Sequence, residues 1–127
     1  MPLTEKQKLG KWGEDEAVHF LLGKGYEILA RNYNLPKKGE IDIVAWHNKN
    51  KTEKTLCFVE VKTRSTSDSS AERSVNKKKL SALFIVARHF CLKNNIDISS
   101  TYIQFEQVSI YKVNNNVEIK HYEIPIV

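Results

Sequence analysis

Two strand-length runs separated by a short polar segment constrain the fold of this chain more than any other feature. The first run is EIDIVAWH, the second is TLCFVEVKTR, and NKNKTEK lies between them. Both runs are rich in β-branched and aromatic residues, which are typical of strands. Because the connecting segment is too short for a crossover, we expect the two strands to pair as an antiparallel hairpin.

This hairpin is unusual because charged residues lie inside its strands. With the loop centred near Lys51, the residues that face one another on one side are the pairs Trp46–Leu56, Val44–Phe58, Asp42–Glu60 and Glu40–Lys62. The other side is expected to carry only apolar residues, namely Ile41, Ile43, Ala45, Cys57, Val59 and Val61. Apolar residues on both sides predict a sheet that is covered on both faces.

The facing carboxylates of Asp42 and Glu60 predict a metal site. In a purely structural hairpin they would repel each other at about 5 Å. A divalent cation between them removes that repulsion, and Mg²⁺ prefers oxygen ligands of this kind. Lys62 points into the same space, where its ammonium can hold a water or a phosphate oxygen. Such a set of residues is suited to hydrolysis of a phosphodiester.

The same charges also have a structural interpretation, which the residues alone leave open. In it, Lys62 and Arg64 neutralise the acidic residues at a salt-bridged strand end. Glu14 has two interpretations as well, since it lies at the edge of the apolar stripe of the first helix. It either reaches over the sheet toward the same cleft or is an exposed acid favoured by the helix dipole.

The remaining patterns predict one domain over residues 1–127 with the element order α-β-β-β-α-β-β. A capping box at Thr4–Gln7 begins a helix near residue 5, and Gly23 and Gly25 end it. YEILARNYN, TYIQFEQVSIYKV and VEIKHYEIPIV are predicted strands, and STSDSSAE is predicted to be mobile. A second helix is predicted from an apolar stripe formed by Leu80, Leu83, Phe84, Ala87, Phe90 and Cys91.

Composition narrows the class of protein. No apolar run approaches the roughly 20 residues that span a bilayer, and no signal-peptide stretch is present, so we expect a cytoplasmic protein without a membrane segment. Cys57 and Cys91 lie in apolar stretches and are expected to be buried thiols rather than a disulfide. The net charge of +5 has two interpretations of about equal weight. One is a polyanionic partner, with nucleic acid as the first candidate, and the other is a lysine-rich solvated surface.

The motifs of this chain resemble those of a known family. GKWGEDEAVHFLLGKGYEILARNYNLPKKGEIDIVAW followed by FVEVKTR is similar to the YraN-like family of small bacterial proteins, described as Holliday-junction-resolvase-like or endonuclease-like. The resemblance implies the restriction-endonuclease-like PD-(D/E)xK fold, an α/β fold with a mixed sheet flanked by helices. The chain departs from the pattern where Ile41 replaces the proline of the motif name and where Phe105–Glu106 replaces the usual Phe-Asp pair.

The resemblance also implies a set of site residues. Glu14, Asp42, Glu60 and Lys62 would be catalytic, and Asp42, Glu60 and the carbonyl of Val61 would hold Mg²⁺ or Mn²⁺. The expected function is metal-dependent hydrolysis of DNA, branched or junction DNA by the same resemblance. The expected partner is nucleic acid, DNA rather than RNA, and a homodimer is expected by analogy with junction resolvases.

The basic clusters contain the residues expected to contact the nucleic-acid backbone, which are Lys37, Lys38, Arg64, Lys77 and Lys78. An alternative function is a non-catalytic nucleic-acid-binding module with the same fold, because a fold does not establish an activity. A third is a protein-interaction domain whose charges are only structural. The presence of the aspartate, the glutamate and the lysine together favours the nuclease.

Overall fold

The structure is a computed structural model that describes residues 2–50, 53–65 and 77–125. Its helices and strands are α1 (Glu5–Gly23), β1 (Glu27–Leu35), β2 (Gly39–Asn50), β3 (Glu53–Arg64), α2 (Lys77–Lys93), β4 (Tyr102–Val113) and β5 (Asn116–Ile124). A short 3-10 helix, Ile98–Ser100, precedes β4. The predicted order α-β-β-β-α-β-β is confirmed.

The five strands form one mixed sheet in the order β1-β2-β3-β4-β5. Neighbouring strands are antiparallel except β3 and β4, which are parallel. A parallel pair needs a crossover, and α2 lies in that crossover. The predicted α/β sheet flanked by helices is therefore confirmed, and the architecture is consistent with a restriction-endonuclease-like fold.

Each helix covers one apolar cluster of the sheet. The cluster with α1 contains Ala17, Leu21, Tyr26, Ile43, Ala45, Cys57, Val59, Val108 and Ile110. The cluster with α2 contains Ile41, Val44, Leu56, Phe58, Leu83, Val86, Ala87, Phe90, Cys91, Phe105 and Ile124. Cys57 and Cys91 are buried free thiols, as predicted. The described helices are all too short or too polar to cross a membrane.

The helix ends follow the predicted signals. Thr4 Oγ1 accepts a hydrogen bond from the amide of Gln7 at 3.1 Å, and the Gln7 side chain accepts one from the amide of Thr4 at 2.9 Å. This capping box begins α1. At the other end Gly25 has a φ of 87°, a conformation that glycine adopts without strain. In the stripe predicted on α2, Leu83, Ala87, Phe90 and Cys91 are buried and Leu80 is half-buried. Phe84 is 40% exposed and lies against Phe105.

The hairpin strands are longer than predicted. The segment NKNKTEK was expected to be a polar loop, but β2 continues to Asn50 and β3 begins at Glu53, and these two residues pair. Backbone pairing does not depend on apolar side chains, so the ladder continues into a polar stretch. Residues 66–72 of the segment STSDSSAE, predicted to be mobile, lie outside the described residues.

A close approach of α1 to β3 depends on Gly13. A Cβ at this position would overlap Thr63 Oγ1 and would lie 2.8 Å from Thr63 Cβ. We expect Gly13→Ala to destabilise the fold by about 2 kcal/mol, because overpacking outweighs the gain of about 1 kcal/mol that alanine brings to a helix. Gly10 is the matched control, since a Cβ there meets nothing within 4 Å. Gly10→Ala should stabilise the protein by about 0.5–1 kcal/mol in urea unfolding.

The steric cause of the Gly13 effect can be isolated with Thr63→Gly. This change removes the atoms that the new methyl group would meet, so the double variant should be less destabilised than the two single changes added together. Simple additivity would contradict the close approach of α1 to β3.

Candidate active site

The ladder between β2 and β3 opens at Asp42. It runs from His47–Thr55 to Ile43–Val59 in the predicted register. The two predicted pairs beyond that point, Asp42–Glu60 and Glu40–Lys62, do not form, although all four residues are among those described. Instead the carboxylate Oδ2 of Asp42 accepts a hydrogen bond from the amide of Val61 at 2.7 Å. A side chain thus satisfies a strand amide where the strands separate.

The alternation of side chains along β2 reverses at the same place. Ile41 was predicted to share a face with Ile43, but it packs with Val44 in the α2 cluster, while Ile43 lies in the α1 cluster. A strict two-residue period would put Ile41 and Val44 on opposite faces. The local irregularity therefore turns the strand around Asp42 and frees its carboxylate from the apolar faces of the sheet.

Strand β1 carries a matching irregularity that positions Glu14. Asn32, between the pairs Arg31–Ile43 and Tyr33–Ile41, has a φ of 53°, which asparagine tolerates better than most residues. Asn32 Nδ2 donates to Glu14 Oε1 at 2.9 Å, and Arg31 Nε donates to the same oxygen at 3.0 Å. The Glu14 side chain is only 15% exposed, so it points toward the sheet rather than into bulk solvent.

Arg31 also joins a second acid of α1. Its Nη2 atom donates to Asp15 Oδ1 at 2.7 Å, and this hydrogen bond lowers the pKa of the Asp15 carboxyl. Arg31 is thereby held between two carboxylates of α1. The result is a fixed wall in which Glu14 has a defined orientation.

An open cleft of about 910 Å³ lies between α1 and the ends of β1, β2 and β3. Its acidic lining residues are Glu14, Asp15, Glu40 and Asp42, and its basic ones are Lys6, Lys11, Arg31, Lys62 and Arg64. Val61 also lines it. The structure thus brings Glu14, Asp42, Val61 and Lys62 of the predicted site to one cleft.

Asp42 is the most perturbed acid of this cleft. The pKa of the Asp42 carboxyl is raised to about 6, mainly by burial and also by the charges of Glu60, Glu14 and Glu40, against the hydrogen bond from Val61. Neighbouring carboxylates that repel Asp42 would be stabilised together by a cation. Glu60 is thus one of the charges that act on Asp42, although the two residues do not pair across the ladder.

Glu60, the remaining residue of the predicted site, is not among the residues that line the cleft, and its nearest charged partner belongs to α2. Its side chain is 10% exposed, and its Oε1 atom lies 2.7 Å from Lys79 Nζ and 3.9 Å from Lys62 Nζ. Its Oε2 atom is buried without a hydrogen-bond partner in the described part of the chain. A buried carboxylate oxygen without a partner is costly unless a ligand is bound to it.

Lys79 is a site residue that the sequence analysis missed. The prediction named its neighbours Lys77 and Lys78, whose side chains lie outside the described part of the structure. A run of three lysines before a helix gives no indication of which one reaches the sheet. Only the packing of α2 against the sheet selects Lys79.

Lys62 has a depressed pKa. Burial lowers it, and the Lys79 ammonium lowers it further, against the attraction of Glu60. Lys79 is affected in the opposite direction: burial lowers its pKa, but the hydrogen bond to Glu60 and the charges of Glu60 and Asp42 together raise it. The two lysines, which both interact with one carboxylate oxygen, therefore differ in how firmly they hold their protons.

The donor set fits a hard divalent cation with few protein ligands. The described residues contain no group of three or more His, Cys, Asp or Glu side chains arranged to hold a metal. Mg²⁺ needs fewer, since it binds one or two carboxylates and keeps several waters. Asp42 and the partnerless Oε2 of Glu60 would supply two such ligands, and the Val61 carbonyl would be the third.

The predicted nucleic-acid contacts fall in different places. Arg64 lines the cleft, and its Nη1 atom donates to the carbonyl of Thr63 at 3.0 Å. Lys37 and Lys38 are exposed in the turn between β1 and β2 and are not among the residues that line the cleft. These two lysines can contact a nucleic-acid backbone only where the nucleic acid extends beyond the cleft.

Phe105–Glu106, which replaces the usual Phe-Asp pair of the family, lies in the core rather than in the cleft. Glu106 is fully buried and accepts hydrogen bonds from Tyr26 Oη at 2.8 Å and Gln104 Nε2 at 2.7 Å. It lies 2.5 Å from His121 Nε2. These partners satisfy the carboxylate, and Glu106 is absent from the residues that line the cleft.

Comparison with known proteins agrees with the motifs. Residues 13–110 match the model of the Uncharacterised protein family UPF0102. A UPF0102 protein of Flavobacterium psychrophilum is 37% identical over 122 residues, which cover 95% of each chain. A UPF0102 protein of Clostridioides difficile is 39% identical over 116 residues, covering 91% of this chain and 94% of that one.

A third relative, a UPF0102 protein of Koribacter versatilis, is 40% identical over 112 residues, covering 84% of this chain and 71% of that one. The matched region includes Glu14, the GEID block and the FVEVKTR block. The chain therefore belongs to the Uncharacterised protein family UPF0102, the YraN-like family that its motifs indicate.

Proposed function

We propose that this protein is a metal-dependent nuclease that hydrolyses phosphodiester bonds of DNA, with Mg²⁺ or Mn²⁺ as cofactor. The observation that carries the proposal is the opening of the β2–β3 ladder at Asp42. It leaves the Asp42 carboxylate in the cleft together with Lys62, whose ammonium lies 3.9 Å from Glu60, and the charge of Glu60 acts on Asp42. Support also comes from the buried, partnerless Oε2 of Glu60.

Each residue has a role in this proposal. Asp42, Glu60 and the Val61 carbonyl would hold the cation, which supplies charge stabilisation and a more acidic water when bound. Lys62 orients the attacking water and a phosphate oxygen through its ammonium donors. Glu14, held by Arg31 and Asn32, is a fixed acceptor for a water at the cleft wall.

The reaction is a hydrolysis with in-line displacement. The water oxygen forms a bond to phosphorus, the bond from phosphorus to the 3′-oxygen breaks, and the proton of the water passes to solvent. The leaving 3′-oxygen takes up a proton. The products carry 5′-phosphate and 3′-hydroxyl ends.

The charge of the cleft supports a polyanionic substrate. Its lining includes Lys6, Lys11, Arg31, Lys62 and Arg64. Lys37 and Lys38 add two exposed basic side chains in the turn between β1 and β2, and Lys77 and Lys78 remain predicted contacts. Binding should weaken with salt, because each phosphate contact releases counterions. A branched or junction DNA cut on two strands would require a homodimer with two such clefts.

One observation favours a second function, a nucleic-acid-binding module without turnover. Lys79 neutralises Glu60 at 2.7 Å, so the charges near the ligand pair are already compensated without a cation. Such a site is stable as it stands. The two functions differ in whether a divalent cation is bound and used.

The deciding experiment incubates the protein with a four-way junction, a flap, a linear duplex and a single strand, each with Mg²⁺, Mn²⁺ or EDTA. Asp42→Asn is the control for contaminating nucleases, since it keeps the shape of the side chain. The nuclease proposal predicts metal-dependent cleavage of at least one substrate by the parent and none by the variant. Binding of these DNAs without cleavage in any metal would replace the nuclease with the binding module.

A further inference from the structure

We propose that Lys79 makes cation binding at Asp42 and Glu60 depend on a phosphodiester in the cleft. The inference rests on the proposed function and adds a regulation of the same site. In the absence of substrate, Lys79 occupies Glu60 and opposes a divalent cation. When a DNA strand enters, Lys79 exchanges the carboxylate for a phosphate oxygen, and the cation is then held firmly.

The contacts of Glu60 carry the first step. Lys79 Nζ lies 2.7 Å from Glu60 Oε1, and Lys62 Nζ lies 3.9 Å from the same oxygen. Oε2 is the atom left without a hydrogen-bond partner among the described residues. One oxygen of the Glu60 carboxylate thus interacts with both lysines, and the other is available to a cation. A cation bound there would be repelled by the two nearby ammonium groups.

The charge balance carries the second step. The carboxylates of Asp42 and Glu60 balance the ammoniums of Lys62 and Lys79, and Asp42 interacts electrostatically with both lysines. With a divalent cation added, these four groups and the ion would together carry two surplus positive charges. Each phosphodiester brings one negative charge, so the nucleic acid compensates what the protein does not.

The length of the lysine side chain permits the exchange. Lys79 lies in the first turn of α2, and its side chain is 31% exposed, so its ammonium is not enclosed by the core. Lysine has a flexible stem and three donors, which suits a transfer between two oxygen partners. By linkage, DNA should raise the affinity for the cation by the same factor as the cation raises the affinity for DNA.

The first test measures Mn²⁺ binding to the protein without DNA, by calorimetry and by the paramagnetic resonance signal of free Mn²⁺. We expect Lys79→Met to bind Mn²⁺ at least tenfold more tightly than the parent, because it removes the competing charge and keeps the aliphatic stem. Lys79→Arg retains the charge and should bind as the parent does. Lys54→Met is the matched control, since Lys54 lies 3.9 Å from Glu27 and outside the cleft lining.

The second test measures coupling, as the affinity for a fluorescent duplex with and without Mn²⁺ at fixed salt and low temperature. The factor by which Mn²⁺ tightens duplex binding should be at least fivefold smaller in Lys79→Met than in the parent. Circular dichroism and urea unfolding identify a variant that fails to fold, and in that case Lys79→Gln takes its place.

The outcomes separate this inference from the function on which it rests. Equal or weaker Mn²⁺ binding by Lys79→Met, in a parent that binds Mn²⁺ and cuts DNA, overturns the role of Lys79 and leaves the nuclease in place. Absence of Mn²⁺ binding by Lys79→Met overturns the inference, and absence of metal-dependent cleavage by the parent overturns the nuclease and the inference with it. Tighter binding by the methionine variant, with parent-like binding by the arginine variant, supports both.

Discussion

Asp42→Asn is expected to abolish cleavage and, without divalent cations, to make the protein more stable at pH 8. The amide side chain of this variant would still offer an oxygen to the amide of Val61, so the local backbone can keep its hydrogen bond. It cannot offer a charged ligand to a cation. In the parent, by contrast, ionised Asp42 lies in a partly buried site near other carboxylates, which is unfavourable until a cation binds.

The pH dependence follows from the pKa of Asp42, which is about 6 in the folded protein against the usual 3.8. Between these values the folded state holds a proton that the unfolded chain releases, so the free energy of unfolding falls as the pH rises. Above pH 6 the decrease in the free energy of unfolding is complete. The difference between the two pKa values corresponds to a decrease of about 1–3 kcal/mol, after allowance for water that reaches the carboxyl. Asp42→Asn does not lose this stability, because its amide side chain does not titrate.

Urea unfolding of parent and variant at pH 4 and pH 8, both in EDTA, measures the effect. The stability of Asp42→Asn relative to the parent should increase by about 1–3 kcal/mol between the two pH values. Asp97→Asn is a control of opposite sign, because hydrogen bonds from Ser99 and Ser100 lower the pKa of Asp97. A pH-independent difference for Asp42→Asn would contradict a strained carboxylate at this position.

Addition of Mn²⁺ should reverse the order of stability. A ligand stabilises only the state that binds it, by about 2.7 kcal/mol at a concentration a hundredfold above Kd. The parent should therefore gain thermal stability with Mn²⁺, and Asp42→Asn should gain little. Equal thermal shifts in both proteins would place the cation elsewhere.

Lys62→Met is expected to reduce the cleavage rate by two to four orders of magnitude with little loss of DNA affinity. Groups that orient or transfer protons contribute roughly 10²–10⁴ to a rate. For binding, Lys62 is one of several cations of the cleft, so its loss should reduce the salt dependence of binding by about one unit at most. Among the described residues that line the cleft, Lys62 is the cation that lies beside Glu60.

Single-turnover cleavage and fluorescence anisotropy at the same salt concentration separate the two effects. Lys54→Met, with the same change in net charge, should match the parent in cleavage rate. Parallel losses of rate and affinity in Lys62→Met would show that Lys62 is only a binding residue, and an unchanged rate would exclude it from the reaction.

Local patterns along the chain were sufficient to predict the elements and much of the register. The capping box of Thr4, the stripe of α2 and the alternation in β2 and β3 each depend on neighbours in sequence, so their consequences could be worked out residue by residue. The same alternation placed Val44 opposite Phe58 correctly. The family followed from two motifs whose residue types and separation are specific.

Three features of the site came from contacts between distant segments, which no local pattern records. The ladder opens at Asp42 because its carboxylate takes the amide of Val61, and Ile41 then turns to the opposite face. Lys79 reaches Glu60 because α2, in the crossover between the parallel strands β3 and β4, packs against the sheet. A period of two or 3.6 residues specifies which way a side chain points, but the partner it meets depends on how separate elements pack.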